Sequence, residues 1–281
     1  MLLWASSFVA LKIAFTGYHP MQVIFGRMLI ASLCFLPFLP SFFRIQWRRQ
    51  DLRYLLLMAI FEPCLYFIFE AKALINTSAS QAGMITAIFP LLVAIAAWAI
   101  LKERISRLTL FGFFIAISGA IILSLVSDAT ISSPAPLIGN LYELAAMVCA
   151  TGYTICLKHL SGRYSPFFLT AVQAFIGSIF FAFFLLPPDI GLPDQWISGP
   201  ALAVIYLGTF ITLGAYGLYN FGVSRIPASQ AAAFVNLIPV FSVILGSVLL
   251  AERLNNWQWF AVFMVFSGVF LSRYGGKKLE H

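Results

Sequence analysis

A pattern in the middle of this chain returns near its end. Ala79-Ser80-Gln81-Ala82 reappears as Ala228-Ser229-Gln230-Ala231, Pro90 as Pro239, Glu103-Arg104 as Glu252-Arg253, and Ser118-Gly119 as Ser267-Gly268, all at one offset of 149. About a dozen identities fall within about 46 positions that align without a gap. A weaker correspondence, at an offset of 146, pairs Lys12 with Lys158 and Pro20 with Pro166. The chain is two copies of one unit. The period is too long for a solenoid. A duplicated apolar half is the usual plan of a secondary transporter whose substrate site lies between the halves.

The surroundings of the repeat are those of a membrane protein. Hydrophobic residues make up 61% of the 281 positions without counting Gly, against about 45–50% with Gly in a soluble domain. Charged residues are 10%, well under the usual figure of about 25%. The net charge of +7 does not point to nucleic acid, because the basic residues gather at the ends of apolar runs and form no stripe with a binding motif. Cys34, Cys64, Cys149 and Cys156 lie inside apolar runs without CxxC spacing and read as small core hydrophobes. His19, His159 and His281 are scattered. No metal or cofactor is expected. Leu279-Glu280-His281 reads as the remnant of a purification tag. The apolar run from Met1 to Thr16 is slightly short for a span, so a few native residues are expected to precede it.

Ten apolar segments follow one another, at about 1–17, 21–43, 52–74, 79–101, 107–126, 137–158, 166–186, 199–222, 229–250 and 257–274. Each is close to the length of a helix that crosses about 30 Å of hydrocarbon. The fold expected is an all-α integral membrane protein of ten transmembrane helices. The first repeat covers 1–126, the linker 127–136 and the second repeat 137–274. Ser106, Ser165 and Asn255 are expected N-caps. Alternate connections are basic: Arg44, Arg48, Arg49 and Arg53; then Lys102, Arg104 and Arg107; then Lys158 and Arg163; then Arg225; then Arg273, Lys277 and Lys278. The others hold Asp128, Asp189 and Asp194 instead. The positive-inside rule therefore puts both termini in the cytoplasm. Five spans per repeat is odd, so the second copy enters the membrane inverted. The turn Lys102-Glu103-Arg104-Ile105-Ser106-Arg107 has as its mate Ala251-Glu252-Arg253-Leu254-Asn255-Asn256, which has lost two positive charges.

The doubled pattern of ASQA, an apolar run with Pro, an apolar-x-ER turn and an apolar run with SG resembles the EamA unit. Trp4-Ala5-Ser6-Ser7-Phe8 through Lys12, with Pro20 and Arg27 beyond, is similar to the start of that unit. Two units in ten spans resemble the drug/metabolite transporter superfamily over essentially the whole chain. The resemblance implies a carrier of small metabolites, often an exporter, in the bacterial inner membrane. It leaves the cargo open among amino acids, drugs, nucleosides and other solutes. The third span departs from the pattern. Glu62-Pro63 and Glu70 stand where the second copy has Ile211-Thr212 and Tyr219.

Ionisable residues inside a span are costly and mark interior or water-facing positions. At about 1.5 Å per residue, Lys12, Arg27, Glu70, Lys72 and Glu143 fall into one layer in the outer half, and Glu62 lies near the midplane. The layer reads equally as structural ion pairs, with Lys12 and Lys72 snorkelling outward. Glu62, with no base at its own depth, is the candidate for binding a substrate cation or exchanging a proton. Glu62, Tyr66 and Glu70, at i, i+4 and i+8, form a polar stripe. Trp4, Ser7, Thr86, Tyr153, Tyr216, Asn220 and Asn236 are further candidates for cavity lining. Pro63, Pro90 and Pro239 are hinge candidates. Glu103 and Glu252 read as structural residues of tight turns. Gly112, Gly119, Gly208, Gly214, Gly217, Gly222 and Gly268 are expected to serve helix packing.

Three classes compete. A carrier is favoured, working on a small-molecule substrate as a monomer in the bilayer. The two acids with Lys12 and Arg27 suit an amino acid or similar zwitterion, and a hydrophobic cationic drug is the alternative. A membrane-embedded enzyme would need a metal cluster or a nucleophile–base pair, and neither spacing is present. A non-transporting receptor would need an extended docking loop or tail. No nucleotide-binding signature is present for an ATP-driven pump.

Overall fold

The computed structural model describes residues 1–46, 48–101, 107–127 and 129–277, and among these the chain is helical, with one isolated bridge between Thr130 and Ser133. Helices α1 (Leu2–Phe15), α2 (Pro20–Phe42), α3 (Arg49–Asn76), α4 (Ala79–Ile100) and α5 (Arg107–Leu125) make up the first half. Helices α6 (Pro136–Leu160), α7 (Pro166–Leu185), α8 (Ser198–Arg225), α9 (Ala228–Leu249) and α10 (Asn256–Lys277) make up the second. Six of them, α2, α3, α4, α7, α8 and α9, are long and apolar enough to cross a membrane. Their outer faces carry exposed Leu33, Ile179, Phe210 and Leu218, which only hydrocarbon surroundings make favourable.

Helix starts follow local chemistry. His19 and Gln22 form a reciprocal capping box at α2, as do Asn255 and Gln258 at α10, with both bonds at 2.8 Å. Ser165 caps α7 by accepting from Phe168 N. Ser106 lies outside the described residues, as do Lys102, Glu103, Arg104, Asp128, Lys278 and residues 279–281. Cys34, expected in the core, is exposed.

The interior helices are broken in matched pairs. α3 widens to π-helical turns over Ile60–Leu65, and α8 does so over Leu207–Ala215. α4 tightens to a 3-10 turn at Thr86–Ile88 and α9 at Phe234–Leu237, and these two turns pack on each other. Both pairs are related by the sequence offset. Pro90 and Pro239 each open the α-helical stretch after their 3-10 turn, where a missing N–H costs least. α5 and α10 pack along each other. Not every glycine serves such packing: side chains added at Gly217 or Gly222 would meet nothing within 4 Å.

Both ends of the bundle carry ties between the halves. Near the Arg49 end of α3, buried Asp51 accepts bonds from the Arg163 guanidinium and from Tyr164 Oη, the latter at 3.0 Å. Glu252 does more than shape its own turn. Its carboxylate accepts from Ala79 N at 2.8 Å and Ser80 N at 2.9 Å, at the start of α4. An acid there satisfies donors the helix cannot use and favours its positive end.

Candidate functional site

The break in α3 sets the site. A residue before proline is pushed out of helical geometry into the extended region, and Glu62 sits there at φ −150°, ψ 118°. Its carbonyl is taken up by Gln173 Nε2 on α7 at 3.2 Å. Its carboxylate accepts the Tyr216 hydroxyl of α8. The i, i+4, i+8 stripe expected for α3 is therefore interrupted. Tyr66 Oη donates to Glu70 Oε1 at 3.2 Å, while Glu62 is turned to the opposite half.

Glu62, Tyr66 and Glu70 nevertheless face one small cavity. Trp4, Ser7, Thr86, Tyr153 and Tyr216 line it as well, so eight of the ten expected lining residues come together. The other two do not line it. Asn220 is fully buried behind the wall, bonded to Tyr153, to Thr170 Oγ1 at 2.8 Å and to Gln173 Oε1 at 3.2 Å. Asn236 is half-buried in the 3-10 turn of α9, and its Oδ1 has no partner among the described residues.

The charge layer divides. Arg27, 1% exposed, lines the cavity with Nη1 3.7 Å from Glu70 Oε2. It also lies 4.1 Å over the Phe67 ring and donates from Nε to Thr212 Oγ1 at 3.3 Å. Glu143 is completely buried beside Glu70, outside the lining. Lys12 leaves the layer, its Nζ donating to Ser132 O at 2.6 Å. Exposed Lys72 lies over Tyr142, 5.5 Å from the ring centre. Among the described residues, three acids thus meet one base in and beside the chamber.

Several wall residues gave little signal in the sequence. Tyr219, hydrogen-bonded to Thr154 at 3.1 Å, and Trp4 form an aromatic wall with Tyr216. Phe8, Phe89, Met147 and Ile211 add apolar surface. Gln173 and Thr170 are polar residues spaced i, i+3 within the apolar run of α7, and that spacing was the available clue. The cavity draws on α1–α4 from the first half and α6, α8 and α9 from the second.

A multi-helix bundle with apolar outer faces around a small, largely apolar chamber that holds buried acids and a base belongs to the class of multi-pass membrane transporters. The model of the EamA-like transporter family matches residues 1–125 and 137–274, and the chain belongs to that family, within the drug/metabolite transporter superfamily. A protein of Bacillus subtilis (strain 168) named uncharacterized transporter YetK is 27% identical over 231 residues, 80% of this chain and 68% of its own. A protein of Streptantibioticus cattleyicolor named probable terminal-alkyne amino-acid exporter is 23% identical over 253 residues, 89% of this chain and 82% of its own. A crystal structure at 19% identity has a TM-score of 0.67, covering 100% of this chain and 96% of that one, which speaks for the fold.

Proposed function

We propose that this transporter is a secondary carrier of a small zwitterion, of the amino-acid type, and exports it across the bacterial inner membrane. Its ten helices cross the bilayer as two inverted five-helix halves, with both termini cytoplasmic, and the halves exchange roles to open the cavity to either side. A single chain is the working unit.

One observation carries the substrate class. Acids and a base line the same small chamber between the halves: Glu62 and Glu70 on α3 and Arg27 on α2. A substrate ammonium finds Glu62 and the Tyr216 hydroxyl. A substrate carboxylate finds Arg27, whose planar fork suits it, and Trp4 Nε1, a buried donor with no partner among the described residues. With Lys12 turned away, Arg27 supplies the positive charge of the chamber among the described residues. The name of the Streptantibioticus relative supports the same class. The aromatic wall also favours an organic cation through ring-face attraction, which makes such cations the second reading. Glu62, deep and accessible from the chamber, is the group at which substrate cation and proton compete.

The test is flux into proteoliposomes of labelled amino acids, organic cations and nucleosides, each with and without an inward-acid pH gradient. Saturable amino-acid flux that responds to the gradient, and loses that response in Glu62→Gln, is expected. Saturable flux of cations alone selects the second reading. Flux of wild-type character in Glu62→Gln removes Glu62 from coupling.

A further inference from the structure

Glu143 is a buried acid that the chamber does not use. It is 0% exposed, and neither carboxylate oxygen has a hydrogen-bond partner among the described residues. Its position is fixed by close packing of α6 on α3. A side chain at Gly139 would come within 2.6 Å of Thr77 Cβ, and one at Gly152 within 2.7 Å of the Phe61 ring. α6 is thus held hard against α3 on both sides of Glu143, with no room for solvent between them.

The groups around it leave a charge without a counterpart. From α3, Glu70 and Tyr66 lie in electrostatic reach, whereas Lys72 points outward over Tyr142. α4 and α9 carry no ionisable side chain among the described residues. α5 offers only Arg107, at its far end, and α8 offers Tyr216 and Tyr219, which are engaged with Glu62 and Thr154. Glu70 has both Arg27 and the Tyr66 hydroxyl, and Glu143 has neither. Glu70 and Glu143, with Glu62 also in reach of Arg27, set more carboxylates than guanidinium in a dry interior, and an uncompensated charge there is strongly destabilising. Two neighbouring carboxylates resolve that by sharing a proton.

We propose that Glu143 and Glu70 form a proton-binding pair sealed behind the substrate chamber, with the proton on Glu143, and that this pair ties transport to the proton gradient. The proposal rests on the carrier reading and adds a site to it. Glu62 meets substrate and proton in turn, and Glu143 holds a further proton out of the substrate's reach. Glu70 lines the chamber while Glu143 lies behind it, so Glu70 links the two. A substrate ammonium at Glu62 adds positive charge close to Glu70 and loosens the hold of the pair on its proton; substrate release restores that hold, so proton and substrate alternate as export against a proton gradient requires. The ligand is a proton, passed to water on the side then open, with no other bond made or broken.

Two assays on the same proteoliposomes separate the roles: exchange of labelled for unlabelled substrate without any gradient, and accumulation driven by a pH gradient. In Glu143→Gln, exchange is expected to stay within about twofold of wild type while driven accumulation falls by about tenfold or more, within the span of an ordinary coupling between two sites. If the Gln variant does not fold, Glu143→Met, which buries no amide, gives the same readout. Driven accumulation of wild-type size in either variant overturns the proposal. So does loss of exchange together with accumulation in folded protein, which would place Glu143 in substrate handling. Accumulation driven by sodium and not by protons overturns it too. Wild-type protein without exchange of any substrate removes the carrier reading itself, and this inference with it.

Discussion

Tyr216 reaches from the second half of the chain to a carboxylate in the first. Its hydroxyl and Glu62 are both buried, and a bond to a charged group in such a place contributes about 1.5–3 kcal/mol. Tyr216→Phe keeps the ring packed against Trp4 and removes only that donor. The apparent KM of the proteoliposome flux is expected to rise about tenfold or more, and the thermal midpoint to fall, because the buried carboxylate loses that donor. An unchanged KM would show that substrate does not use this acid. The acids themselves were legible in the sequence, because a Glu inside an apolar run is rare. Their partners were not. Counting along a helix gives depth but not rotation, so Lys12 and Lys72 stood in the same layer as Arg27. Backbone oxygen at Ser132 and the ring of Tyr142 draw those two away. Gln173 was missed because a lone amide among phenylalanines and alanines looks like a tolerated exception until the broken backbone of Glu62 is seen beside it.

At the scale of helices, the repeat was visible in the sequence and its geometry was not. Pro90 and Pro239 marked corresponding positions. That both follow a 3-10 turn, and that the turns cross, depends on the packing of α4 against α9. Pro63 has Thr212 as its mate, so the sequence hid the correspondence between the breaks of α3 and α8. In α8 the widened turn is held without proline, by Thr212 Oγ1 donating to Leu207 O at 3.0 Å. Close contact of α6 with α3 leads to a paired prediction. Gly152→Ala puts a methyl group into the Phe61 ring, and overpacking of this kind costs about 1–3 kcal/mol. Gly217→Ala, with open space around it, gains up to about 1 kcal/mol of helix propensity. In detergent the first is expected to melt earlier than wild type and the second no earlier. Equal midpoints for both variants would mean that α6 and α3 do not meet as described.

For the whole molecule, ties between the halves lie at both ends as well as around the chamber in the middle. Asp51, Arg163 and Tyr164 join α3 to the turn between α6 and α7. If that end opens during transport, joining it covalently stops the cycle. Cysteines in place of Asp51 and Tyr164, with Cys34→Ser to remove the exposed native thiol, joined by a bifunctional thiol reagent that spans the space of the tyrosine ring, are expected to abolish flux, and cleavage of a reducible spacer to restore it. Flux that persists in fully cross-linked protein would mean that this end stays closed throughout and the chamber opens elsewhere.

The Glu252 carboxylate has a consequence for biogenesis. The amide groups it satisfies, at Ala79 and Ser80, precede it in the chain by 173 and 172 residues. During synthesis, α4 enters the bilayer with its first turn unfinished and waits for most of the second half to leave the ribosome. The last helix, α10, then lies along α5. The first turn of α4 therefore gains these two acceptors only once the second half is present. A chain cut short before residue 252 leaves the Ala79 and Ser80 amides without that carboxylate, with Ser78 still capping Gln81.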